Sequence, residues 1–305
     1  MDIDKIESFL TLAEIKHFAK ASEQLYISQP ALSKRIQALE DELNVPLFNR
    51  IGKKIFLTVQ GEYFKKYAEE MLASYYNARE YIKQIENLEH GTLNFGTTNF
   101  IGVYLMPEFI SKFHNKYPKI EINMVINSSK NILNMLHKNQ LEFIFLSDYI
   151  VEDDNYYVIN KYIDDNLKLI VGNKHRLFGQ KSCSLLDVVD DLYITKEPTS
   201  SQSKFLDKIF KKYDFDFNNK LFISHQEAIK ESVINNIGIS ILSVNSVRRE
   251  LESGLVTALE FDEINIQREI QYIYIKNKFL TPAANEFIKL ISEQKEKILI
   301  KDKKI

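Results

Sequence analysis

The chain has 305 residues, of which 45% are hydrophobic and 27% charged, so two or three compact units with sizeable cores are available and global disorder is excluded. A formal net charge of −2 excludes nucleic-acid binding through bulk charge, and any such binding must come from a local basic patch. The single cysteine, Cys183, excludes an intrachain disulfide, the start MDIDKIESFL is unlike a signal peptide, and no apolar run is long enough to span a bilayer, so a cytoplasmic protein with no membrane partner is expected.

Ile6, Phe9, Leu10 and Ala13 recur at helical spacing, and Phe18, Ala21 and Leu25 repeat the pattern over a shorter stretch. Tyr26-Ile27 interrupts it. Ser28 is then a suitable N-cap with Pro30 just inside the next helix, whose buried stripe is Leu32, Ile36 and Leu39 and which runs to about Leu43. Gln29, Ser33, Lys34 and Arg35 lie in its first two turns. A helix that starts with polar donors at its positive dipole end suits a phosphate-lined major groove, where Gln can pair with adenine and Arg or Lys with guanine. The plainer reading is an ordinary surface helix with solvated charges. Pro46-Leu47-Phe48 can anchor a hairpin whose turn carries Arg50, Lys53 and Lys54 around Gly52, with Ile55 and Leu57 returning to the core. A basic hairpin beside a reading helix fits a winged helix-turn-helix whose wing grips phosphate. The candidate DNA-binding residues are therefore Ser28, Gln29, Pro30, Ser33, Lys34, Arg35, Arg50, Lys53 and Lys54.

From about Thr58, the residues Phe64, Tyr67, Met71, Tyr75, Ala78, Ile82 and Ile85 form one uninterrupted stripe at spacings of three or four. A long helix with one such stripe predicts pairing with a second copy; packing on its own domain is the alternative. His90-Gly91-Thr92 marks a hinge. Strand and helix patterns then alternate: a strand over Leu93 to Thr97, a helix over Ile101 to Tyr117, a strand over Ile120 to Ile126, a helix including Ile132 to His137, and a strand over Leu141 to Leu146. A second lobe starts with a strand at Leu167 to Val171 and continues through Leu192 to Thr195, a helix from Ser201 to Tyr213, then Leu221 to Ile223, Gln226 to Asn235 and Ile239 to Leu242. Gln271 to Ile275 and a helix from Pro282 to Lys295 finish the pattern, and the lysine-rich tail from Glu296 is expected to fray. This alternation predicts an α/β domain with a mainly parallel sheet.

The run ISQPALSKRIQALEDELNVPLFNR (Ile27 to Arg50), followed by LTVQGE (Leu57 to Glu62), resembles the LysR-type transcriptional regulators. LMPEFISKFHNKYPKIEINM (Leu105 to Met124) and SHQEAIKESVINNIGISIL (Ser224 to Leu242) resemble the same family's effector domain. The resemblance implies a winged helix-turn-helix over residues 1–58, a linker or dimerisation helix over 59–89, and an effector-binding regulatory domain over 90–305. That domain would have two Rossmann-like lobes, as in periplasmic solute-binding proteins, with lobe I at about 93–162 and 267–305 and lobe II at about 163–266. Crossovers would fall near Tyr162 and Ile266. The resemblance also implies a dimer or tetramer on double-stranded DNA, with RNA polymerase as a candidate partner. Asn44 and Asn236 stand where the family usually has glycine, and Asn still tolerates a left-handed helix end. Glu142 stands where aspartate is common.

Ligands of open α/β sheets bind beyond the carboxyl ends of strands, at helix N-termini. Thr97, Thr98 and Asn99, then Thr199, Ser200 and Ser201, meet both conditions; Ser128, Ser129 and Ser147 end two further strands. In a two-lobed fold these groups would line one cleft suited to a small anion, a carboxylate or oxyanion. For any one of them, capping its own helix is the alternative. The six histidines (His17, His90, His114, His137, His175, His225) lack metal-ligand spacing, and Cys183 reads as a packing residue. No metal, cofactor or catalytic residue is expected. The leading expectation is a sequence-specific transcriptional regulator whose activity a small effector modulates, and not an enzyme. The alternatives are a cytoplasmic small-molecule-binding protein or enzyme whose N-terminal segment serves oligomerisation, and a DNA-binding protein with a degenerate cleft.

Overall fold

The structure is a computed structural model that describes residues 2–51, 54–85, 88, 90–147 and 156–293. Gly52, Lys53 and the tail from Glu296 lie outside the described residues, as do the side chains of Arg50, Lys54 and Ile85. The chain divides into two compact units, Met1–Lys83 with His137–Gln140, and Gln84–Leu136 with Leu141–Ile305.

In the first unit, α1 (Ile3–Ile15), α2 (Phe18–Gln24) and α3 (Gln29–Leu43) precede the hairpin β1 (Phe48–Ile51) and β2 (Lys54–Leu57), and α4 (Val59–Ile85) follows. Each helix start is locally specified. Asp2 accepts from the Lys5 N–H at 2.9 Å, and Ser28 accepts from the Ala31 N–H at 3.3 Å, with Pro30 in the first turn of α3. Asn44 ends α3 with φ 54°, the left-handed conformation that asparagine tolerates. Phe9, Leu12, Ala21, Leu32, Leu39 and Leu47 are fully buried together. Glu40 holds the foot of the hairpin by accepting from the N–H groups of Leu47 (2.6 Å) and Phe48 (3.0 Å). Thr58 starts α4: its hydroxyl donates to the Pro46 carbonyl (2.7 Å) and accepts from the Gly61 N–H (2.9 Å). Gly61 lies so close to this strand that a Cβ would meet the Leu47 carbonyl oxygen at 2.2 Å.

The stripe on α4 divides between two environments. Phe64, Met71 and Leu72 pack, with the fully buried Ala68, onto the core of their own unit. Tyr67, Tyr75 and Ile82 are exposed, together with Val59, Tyr63 and Tyr76, which the sequence pattern did not single out.

In the second unit, β3 (Gly91–Thr97) leads to a π-helical turn at Ile101–Leu105 and then α5 (Met106–Lys116). The sequence suggests one helix here; Pro107 has no N–H to donate, and the path tightens into α5 only from Met106. Next come β4 (Ile120–Ile126), α6 (Ser129–His137) and β5 (Phe143–Ser147). β6 (Tyr157–Gly172), 16 residues long, is followed by β7 (Ser182–Cys183), β8 (Leu192–Thr195), α7 (Ser201–Phe210) and β9 (Asn219–Phe222). α8 (Gln226–Ile234), β10 (Ser240–Ser243), α9 (Arg248–Glu252), β11 (Val256–Phe261), β12 (Ile266–Ile275) and α10 (Pro282–Glu293) complete the unit.

The main sheet runs β4-β3-β5-β12-β6-β11-β7, with β10 also paired to β6. It is mixed, which corrects the expectation of a mainly parallel sheet. β3 pairs parallel with β4 and β5, but β12 pairs antiparallel with β5 and β6, and β10 and β11 pair antiparallel with β6. The first half of β6 and the end of β12 belong to a core with Phe95, Phe109, Phe113, Phe145 and Phe287, and Tyr162 is buried in it. The second half of β6 enters a separate core with Leu169, Val188, Ile239 and Leu259. The β6–β12 register shifts between Ile270 and Gln271, where Ile163 and Lys161 are the successive partners and Tyr162 is bulged, a device that bends a strand pair. These cores are the two lobes, and β6 and β12 run through both.

Glu142, 3% exposed, ties α10 to the sheet: its carboxylate accepts from the N–H groups of Thr281 (3.0 Å) and Asn94 (3.4 Å). Burial pushes its carboxyl above the usual carboxylate range, against the pull of those donors and of Lys278. Burial also pushes the Cys183 thiol up to about 12, which fits a packing role.

Two outcomes follow for the fold. Gly61→Ala lowers stability by about 2 kcal/mol, since the added methyl has backbone against it; urea unfolding of the full chain measures this, and an unchanged midpoint would refute the close approach. Because the folded carboxyl of Glu142 sits above its unfolded value, its contribution is complete below the unfolded value and is lost as pH rises through the folded one. The stability advantage of the wild type over Glu142→Gln therefore shrinks as pH rises above the ordinary glutamate value of about 4.3, and parallel stability–pH curves would contradict this.

Candidate nucleic-acid interface and effector cleft

In the first unit, α3 presents Ser28, Gln29, Pro30, Lys34 and Gln37 to solvent, with Ser33 half-buried. The free N–H groups and positive dipole end of the helix lie at the same place. Arg35 is turned the other way. Its guanidinium donates to Asp4 (2.6 Å) and Ser8 (3.3 Å), joining α3 to α1. On the hairpin, Arg50 is paired with Ile55 and Lys54 with Ile51. Sequence reasoning passed over Tyr26, which is 96% exposed with φ 54° in the turn before α3. An exposed aromatic held in a left-handed turn has no signature in local periodicity.

In the second unit, the N-termini of α6, α7 and α8 converge on a cleft between the lobes. One cavity of about 460 Å³ is lined by Thr98, Asn99, Phe100, Ser147, Gln226 and Arg268, among others. A second of about 900 Å³ continues along α7 and is lined by Lys130, Thr199, Lys204, Lys208 and Lys212. Ser128, Ser129, Glu197, Ser200, Ser201 and Arg268 line both. Ser201 donates to Ser129 at 3.4 Å, bringing the first residues of α6 and α7 together from opposite lobes. Two positive helix ends facing each other repel, and an anion between them would turn that repulsion into attraction.

The candidate effector residues divide by what they do. Ser128 and Ser200 cap their own helices, accepting from the N–H groups of Asn131 (3.3 Å) and Ser203 (3.1 Å). Thr98 and Asn99 line the cleft with buried side-chain oxygens that have no hydrogen-bond partner among the described residues. Ser147 and Ser129 are buried at its wall, and Thr199 is exposed at its outer edge. Thr97 is not brought to the cleft. It is the last residue of β3 and fully buried, and a Cβ on Gly102 would meet its hydroxyl at 2.5 Å. Two residues were missed. Gln226, only 2% exposed, lines the cleft at the first position of α8. Arg268 is 4% exposed and pairs with Asp165 at 2.7 Å. Gln226 starts the helix of the Ser224–Leu242 run but is not one of the small hydroxyl residues the sequence reading looked for, and Arg268 belongs to no local motif, so only the fold brings it to the site.

A family model described as "LysR substrate binding domain" matches residues 86–296, and one described as "Bacterial regulatory helix-turn-helix protein, lysR family" matches residues 3–62. The chain belongs to the LysR family. Its relatives include a "Probable RuBisCO transcriptional regulator" of Cyanidioschyzon merolae, 31% identical over 289 residues that cover 93% of this chain and 95% of the relative. "HTH-type transcriptional regulator CysL" of Bacillus subtilis is 26% identical and covers 99% and 100% of the two chains. Among solved structures, full-length CbnR complexed with its target DNA has the same fold, with a TM-score of 0.71 at 18% identity over 96% of this chain and 99% of that one. Family members thus share both units with this chain. Among the described residues, no helix is long and apolar enough to cross a membrane.

Gln226→Leu keeps the buried stem and replaces only an amide that lines the cleft, so stability is expected to change by less than about 1 kcal/mol. Urea unfolding tests it, and a clear loss of stability would show that the amide is satisfied in the folded protein.

Proposed function

We propose that this chain is a sequence-specific, DNA-binding transcriptional regulator whose state depends on a small anionic effector, a carboxylate or oxyanion, held between the two lobes. The observation that carries the reading is the cleft itself: three helix N-termini, the oxygens of Thr98 and Asn99 that have no partner among the described residues, the amide residue Gln226 and the cation Arg268 all line one cavity. Such a set recognises a compact negative group and supplies no evident leaving-group chemistry, so we read it as a binding site rather than a catalytic one.

On the DNA side, Gln29, Ser33 and Lys34 enter the major groove, with Ser28 and Pro30 setting the helix start, while Arg50, Lys53 and Lys54 on the wing contact phosphate. Tyr26 adds a hydroxyl beside the helix start for a phosphate oxygen. Arg35 positions α3 through Asp4 and Ser8. We assign residues 1–58 to DNA binding, 59–89 to the linker and 90–305 to effector sensing. Val59, Tyr63 and Tyr67 are exposed at successive intervals of four on α4, with Ile82 further along, and they offer an apolar face to a second copy. A dimer, or a tetramer built from dimers, then places two reading helices on dyad-related half-sites. RNA polymerase is a further partner on this reading.

Fluorescence anisotropy with DNA from upstream of the protein's own gene, over a salt series, tests it. Lys34→Ala is expected to weaken binding and to reduce the slope of log K against log salt by about one, whereas Gln29→Ala relaxes sequence preference at one base pair. Wild-type affinity and slope in both variants would remove α3 from the interface.

A further inference from the structure

We propose that Arg268 is the residue that contacts the effector's anionic group and ties its binding to both lobes. The proposal rests on the effector-cleft reading above and names the side chain that does the sensing. Arg268 lies on β12 directly opposite Asp165 on β6, on the strand pair that both lobes share. The two side chains are 3% and 0% exposed, and the Arg268 Nε donates to Asp165 Oδ2 at 2.7 Å. The other oxygen of Asp165 accepts from the Ser243 hydroxyl at 2.6 Å and lies 3.5 Å from the Asn245 amide nitrogen, both at the end of β10 in the second lobe. On the first lobe's side, the guanidinium lies 4.7 Å from the ring centroid of Phe100, just before the π-helical turn. Arg268 is thus joined to lobe I through an aromatic face and to lobe II through a carboxylate, and it lines both cavities of the cleft.

Chemistry favours this residue over the lysines of the outer wall. An arginine fork matches the planar geometry of a carboxylate or one face of a phosphate or sulfate, and a carboxylate behind it fixes its orientation. A buried ion pair is a poor source of stability, since apolar replacements of similar volume are often at least as stable. A site that keeps such a pair at the lobe junction, open to a cavity, gains a prepared anion receptor. An anion seated on Arg268 also engages the N-termini of α6 and α7. The arrangement with both walls around it is then favoured by the difference in binding between that arrangement and a more open one.

Lys204 and Lys208 on α7, and Lys212 in the turn that follows it, line the outer cavity and provide the control. Full-length protein is titrated with sodium phosphate at low millimolar concentration and constant ionic strength, with thermal unfolding as the readout. The double variant Asp165→Asn/Arg268→Gln removes both buried charges together, so that neither is left uncompensated and the chain still folds. We expect its half-saturating phosphate concentration to rise about tenfold or more, equivalent to about 1.4 kcal/mol, with Arg268→Lys in between. The triple variant Lys204→Gln/Lys208→Gln/Lys212→Gln is expected to stay near the wild type. Wild-type half-saturation in the double variant, together with a loss in Gln226→Leu, would overturn the assignment to Arg268 while leaving the cleft as the anion site. Loss only in the triple-lysine variant would move the anion to the outer wall and overturn the assignment as well. A wild-type chain that phosphate does not stabilise at all would overturn both readings.

Discussion

Two strands hold the second unit together. β6 and β12 pair antiparallel from Tyr157 with Ile275 to Leu167 with Ile266, and each lobe is assembled on one end of that ladder. At one end β5 joins β12, and at the other β10 and β11 join β6. The lobes can therefore change their mutual angle only by bending or twisting a shared, hydrogen-bonded pair. The bulge at Tyr162 lies in that pair, and Arg268 and Asp165 face each other two ladder steps beyond Ile270 and Ile163 in the direction of the second lobe. A ligand that touches the middle of this ladder acts on the element both lobes must share, which is the physical basis for coupling occupancy to lobe arrangement.

The parts of the fold that depend on neighbours in sequence were legible. Ser28 and Pro30 announce the start of α3, and Asn44 behaves at its end as a left-handed residue should. The strand ends and helix starts that line the cleft could be read from the alternation of apolar runs and hydroxyl residues, so Thr98, Ser128, Ser129, Ser147, Ser200 and Ser201 were found there. The length of β6 was not legible. Asp164, Asp165 and Asn166 interrupt its apolar pattern and look like a loop. They stay in the strand because Asp165 is buried against Arg268, 103 residues later, while Lys161 pairs with both Asp164 (2.7 Å) and Glu269 (2.9 Å). A polar run in a strand can be explained only by partners that local reading does not reach. The mixed direction of the sheet was hidden for the same reason.

The stripe on α4 shows a second limit. A helical repeat of apolar residues records that one face is covered but not what covers it. Phe64 and Met71 are claimed by the core of their own unit, which leaves Tyr67 and Ile82, with Val59 and Tyr63, as the face offered outward. Arg35 is a parallel case. Its place in the first two turns of α3 suggests contact with DNA, yet Asp4 and Ser8 on α1 hold its guanidinium. The same positive charge that could reach a phosphate instead fixes the angle between the two helices that position the reading face.

On the proposed reading, an anion in the cleft changes how the protein engages DNA. The most direct measurement is footprinting of the full chain on the DNA upstream of its own gene, with and without a panel of small carboxylates, phosphates and sulfate. The account predicts a dyad-like protected region whose extent or hypersensitive positions change with one class of anion. A protected region identical under every anion, in a protein shown to bind that anion, would contradict it.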